Sequence, residues 1–110
     1  KLAIDPAVQS VRAALELAEQ SADAGDTAPL RARLEANGND HEARMELSTA
    51  LLAAGQREEA VDELLESIRR DRNWNDEAAR KQLLTLFEAF GHADELTVSA
   101  RRRLSSMLFS

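Results

Sequence analysis

The stretch that decides the fold runs from His41 to Trp74 and reads HEARMELSTALLAAGQREEAVDELLESIRRDRNW. It divides at Gly55. Before the glycine, Leu47 and Leu51 lie four apart, with the small Ala43, Ala50 and Ala54 beside them. That step places them on one face of a helix over about 41–54, with Asp40 as its cap. After the glycine, Ala60, Val61, Leu64, Leu65 and Ile68 mark a second helix over about 57–70. Its acids come early (Glu58, Glu59, Asp62, Glu63) and its bases late (Arg69, Arg70), as the helix macrodipole favours. Counted from His41 as the first position, the small residues Ser48, Ala60 and Ser67 fall eighth, twentieth and twenty-seventh. Small side chains at those places let the two helices, and the hairpin after them, approach closely.

Working outward, the same periodicity predicts four more helices. Asp5-Pro6 opens one over about 6–22, with Val8, Val11, Leu15 and Ala18 on one face. The run Asp23-Ala24-Gly25-Asp26 breaks it. Thr27 can cap a short helix to about Ala36, and Gly38 is expected to supply the left-handed turn that ends it. Asp71 to Asn75 read as a turn holding Trp74. A helix over about 76–90 follows, with the apolar Ala79, Leu83, Leu84, Leu86, Phe87 and Phe90. The last runs from Asp94 or Glu95 to Leu108, with Leu96, Ala100, Leu104, Met107 and Leu108 as its stripe. The expected fold class is all-α: three stacked helical hairpins, about six helices in all. The expected boundaries are a linker at 1–4, a degenerate first hairpin at 5–38, the regular repeat at 41–74 and a last hairpin at 75–108.

Composition agrees. Of 110 residues, 44% are hydrophobic and 4% aromatic, so Leu and Ala must build the core, and they pack well between helices. Twenty acids against 14 bases give a net charge of −6, which lacks the basic footprint of a nucleic-acid binder. With no cysteine, thiolate metal sites and thiol redox chemistry are excluded. His41 and His92 share no helix face with a metal-ligand spacing, the serines lack a His partner, and the carboxylates fall on solvated faces. No catalytic, cofactor-binding or metal-ligating residue is therefore expected, and no enzyme activity. No apolar run approaches the length of a membrane span, and no signal peptide is visible.

The 34-residue period, the small positions and the Gly turn of 41–74 resemble a tetratricopeptide repeat. Arg44 departs from the pattern where Trp is common, and Arg72 where Pro is common. The stretches Arg69–Leu84, Phe87–Gly91 and Leu96–Phe109 further resemble the helical C-terminal part of the bacterial thioredoxin-like co-chaperones, the YbbN or CnoX chaperedoxins. The resemblance implies a cytoplasmic holdase segment that binds unfolding client proteins and passes them to the chaperonin GroEL or the DnaK system. It also implies a fragment whose upstream thioredoxin-like domain is missing, in keeping with a first residue that is not Met.

By the same resemblance, the first helices of the repeats line a concave groove with Glu42, Met45, Thr49, Leu52, Ala79 and Leu83. Met45 and Leu52 suit promiscuous apolar clients, or else pack against a neighbouring helix. The Lys and Asn clamp with which some repeats hold acidic tails is absent, since Met45 and Thr49 occupy its places. The resemblance also implies that the C-terminal helix contacts the chaperonin, through Arg101, Met107, Leu108 and Phe109; the alternative is that this helix only caps the last hairpin. Ala100 and Leu104 are expected to anchor that helix. Arg101, Arg102 and Arg103 spread over too wide an arc to face one partner, and a solvated face is the alternative. A different class of function also fits, a passive scaffold or oligomerisation module that positions an upstream domain.

Overall fold

The computed structural model describes the backbone of residues 6–22 and 26–109, and the side chains of 8–19 and 26–109. The linker at 1–4, the Asp5 cap and the break at 23–25 lie outside these residues. Among the described residues six helices follow one another: α1 (Pro6–Ala22), α2 (Thr27–Ala36), α3 (His41–Ala53), α4 (Arg57–Arg70), α5 (Trp74–Phe90) and α6 (Glu95–Leu108). No strand occurs among the described residues.

Local chemistry sets the ends. The Asp26, Asp40 and Asp94 carboxylates accept from the amides of Ala28, Ala43 and Leu96, each satisfying a donor that the helix cannot. Asp26, not Thr27, therefore caps α2, because Thr27 already lies in its first turn. Gly55 ends the α3 turn at φ 80°, a conformation that a side chain would strain. Gly38 has no positive φ, which corrects its expected role. Its need is space: a Cβ there would lie 2.8 Å from the Arg70 guanidinium. At the start of α5, Asn75, Asp76 and Glu77 carry φ of 48°, 58° and 60°. A left-handed turn thus precedes the regular helix, which sets in at Ala78. Ion pairs from Asp76 to Lys81 and from Glu77 to Arg80 accompany this turn.

The helices pack around two apolar clusters. Leu30 of α2, Ala43, Leu47, Ala50 and Leu51 of α3 and Ala60 of α4 form one. Val61, Leu64, Leu65 and Ile68 of α4 join Ala79, Leu83, Leu86 and Phe87 of α5 and Ala100 and Leu104 of α6 in the other. The small positions do what their spacing predicts: Ser48 Oγ donates to the Ala60 carbonyl at 2.9 Å, both residues fully buried. Ala60→Leu is expected to overpack this contact and cost about 1–3 kcal/mol, read as a lower urea midpoint at unchanged slope.

Three side chains tie the central hairpin to its successor. Trp74 stacks on His41 with ring centroids 5.4 Å apart, and His41 Nδ1 lies 2.7 Å from Ser67 Oγ. The start of α3, the end of α4 and the start of α5 meet there. Across the opposite end, the Arg57 guanidinium lies 4.0 Å over the Phe90 ring and donates to Asp94 at 2.9 Å. The cation holds the Asp94 carboxyl below its usual range, with help from the Leu96 amide.

The position of α1 is the least regular feature. It packs along α5 and against α3, where a plain succession of hairpins would seat it beside α2. Ala13 and Leu17 make the contact, Leu17 joining the larger cluster. Val8, Val11 and Leu15, the stripe that the periodicity marks as its apolar face, point to solvent; Val11 is 61% exposed.

Candidate functional site

The structure places the expected groove residues in three environments. Ala79 and Leu83 are core residues of α5 and present no surface to a ligand. Met45 and Leu52 are half-buried against the larger cluster, to which Leu17 of α1 also packs. Thr49 is half-buried, its hydroxyl donating back to the Met45 carbonyl at 3.2 Å, and Glu42 is exposed. The six do not share one open face, because α1 lies across the helices that carry them.

The C-terminal residues separate along α6. Ala100 and Leu104 are buried and hold the helix to α4 and α5. Met107 and Leu108 are half-buried against the same cluster. Phe109, at the helix end, is 84% exposed. Arg101 is exposed, with Nη1 3.2 Å from His92 Nδ1.

Two features escaped sequence reasoning. Arg44, standing where the repeat pattern often has Trp, is buried in α3. It donates to Glu63 of α4 and to the Gly38 carbonyl, both at 2.7 Å. The second is a seam between α4 and α6. It holds two cavities of about 440 and 490 Å³ that share Arg69 and Met107. Its lining comes from residues up to 46 positions apart, which no local pattern joins. The clue in the sequence was the pairing of two arginine-rich segments, Arg69–Arg72 and Arg101–Arg103.

Glu66 lines the first of the two cavities. Hydrogen bonds from Arg69 and then Arg70 pull its carboxyl from 4.5 down to about 2. A depressed folded-state value means that the stabilisation is complete above pH 4.5 and lost as the pH falls toward 2. Solvent screening limits it to about 1 kcal/mol. Glu66→Gln should therefore flatten part of the acid limb in melts between pH 5 and 2, roughly the window those two values define.

The described residues form an all-helical array, and no cluster of metal-ligating residues occurs among them. The chain belongs to the tetratricopeptide repeat family, whose model matches residues 20–109. Repeats of this family mediate protein–protein interaction and are typically non-catalytic. No curated protein and no solved structure matches the chain. No helix among the described residues is long and apolar enough to cross a membrane.

Proposed function

We propose that this repeat module serves a cytoplasmic bacterial co-chaperone of the chaperedoxin type, holding unfolding client proteins and docking on the chaperonin GroEL, with the DnaK system as a second destination. The observation that carries the reading is Phe109, an exposed aromatic at the end of a helix whose preceding turns are anchored by Ala100 and Leu104. Interface energy concentrates in a few such anchors. The resemblance of the second half to the chaperedoxins supports the choice of partner.

Met107 and Leu108 contribute to the core, so deleting the last turn would mix docking with stability. Phe109→Ala is the cleaner variant. It is expected to leave the melting temperature unchanged while GroEL retained in a pull-down falls about tenfold. Equal retention by both chains sinks the docking role. The scaffold reading draws its support from the exposed Val8, Val11 and Leu15 of α1. An aggregation assay separates the two: a holdase suppresses clumping of a urea-unfolded client at near-stoichiometric ratio, and a scaffold does not.

A further inference from the structure

The seam between α4 and α6 has an apolar floor and an arginine rim. Leu65, Ile68, Met107 and Leu108 supply the floor. Five arginines line the two cavities, against the three carboxylates of Asp62, Glu66 and Asp71. In a chain of net charge −6 this is a local inversion of sign. The internal pairing leaves charge over. Arg69 and Arg70 share the single carboxylate of Glu66, and Arg103 takes Asp62 at 2.7 Å. Arg72 reaches only the Leu108 carbonyl, at 3.5 Å, and Arg102 has no acidic partner among the described residues.

We propose that this seam is a docking channel for a short acidic peptide segment with an apolar anchor, the anchor lying on Met107 and Leu108 and the carboxylates meeting Arg69, Arg72 and Arg102. Guanidinium groups suit the task because their planar fork binds a carboxylate through two parallel hydrogen bonds. A methionine in the floor adapts to anchors of different shape. The cavity volumes admit a few side chains each, which matches an extended segment and not a folded domain. A long polyanion is disfavoured, since the negative remainder of the chain repels it and no aromatic ring lines the seam for base stacking. The site lies beyond the chaperonin reading: it needs neither Phe109 nor GroEL.

The test is fluorescence anisotropy on the full chain with two labelled peptides. One carries two leucines flanked by Asp and Glu; in its twin every acid is replaced by Lys. The acidic peptide should bind saturably, and more weakly as salt rises. Arg72→Glu and Arg102→Glu, one for each cavity, should each weaken it about tenfold without moving the melting temperature. Arg72→Lys and Arg102→Lys should each keep part of the affinity, as a point charge without the fork. Phe109→Ala should leave it unchanged, which separates failure of this site from failure of the chaperonin reading. Equal binding of both peptides, indifference to both charge reversals, or tighter binding of single-stranded DNA or anionic lipid vesicles would overturn the proposal.

Discussion

Phe87→Ala is expected to lower the stability of the chain by about 3–5 kcal/mol, and its melting temperature by about 12–20 °C. Phe87 is 2% exposed and sits where α4, α5 and α6 share one apolar cluster. Its ring is the largest fully buried side chain. The cluster that would have to close the cavity includes Leu83 and Leu86 on its own helix and Ala100 and Leu104 on the next, all buried. Partial collapse is thus the best the site can do, and the cost combines lost burial with residual void. A domain of this size has a net stability of about 5–15 kcal/mol, so the change removes a large share. Leu84→Ala is the control on the same helix. Leu84 is exposed, and its loss should stay within about 0.5 kcal/mol. Urea titrations of the two variants, read against the parent, check the contrast.

Glu63→Ala is expected to cost about 3 kcal/mol, more than any surface carboxylate here. Its guanidinium partner, Arg44, is only 7% exposed. With Glu63 gone, Arg44 keeps the Gly38 carbonyl but loses its counter-charge, and its Nε has no hydrogen-bond partner even in the intact protein. The charge cannot be relieved by deprotonation, since a guanidinium stays protonated. Removing both partners differs in sign of logic. Arg44→Met with Glu63→Leu replaces a buried pair by apolar groups of similar size and should recover most of the loss. A double-mutant cycle by chemical denaturation measures the coupling. If Glu63→Ala alone were neutral, Arg44 would be hydrated and the pair would contribute nothing to joining the hairpin.

The six helices were legible because each carries its own signals. Asp40 and Gly55 bracket α3, the charge gradient from Glu58 to Arg70 orients α4, and Ser48 and Ala60 announce their contact by size. What stayed hidden depends on partners distant in sequence. Periodicity marks Val8, Val11 and Leu15 as one face of α1, but it cannot say which neighbour meets that helix; Ala13 and Leu17 meet α5 and α3 instead. Gly38 read as a left-handed turn because only the folded chain brings Arg70 beside it. Arg44 read as a departure from the repeat pattern, since its burial needs Glu63 nineteen residues away. The burial of the groove residues was hidden for a related reason: their register was readable, and the packing of α1 against α3 and α5 was not. At the C-terminus, spacing separated the anchors Ala100 and Leu104 from the exposed Phe109, while the half-burial of Met107 and Leu108 depends on α4.

The seating of α1 on α5 changes how the chain must assemble. A plain array of hairpins folds neighbour by neighbour, each unit supported by the one before. Here the first described helix has its principal partner about fifty residues later, so a large loop must close before that contact contributes. During synthesis α1 emerges with no lasting place to rest until α5 has left the ribosome. The consequence is a raised contact order and a slower, more concerted folding step than the hairpin pattern alone would give. The same closure ties α1 to the penultimate helix, so that loosening α5 also releases α1, and the two open together where a simple solenoid would fray from its tips.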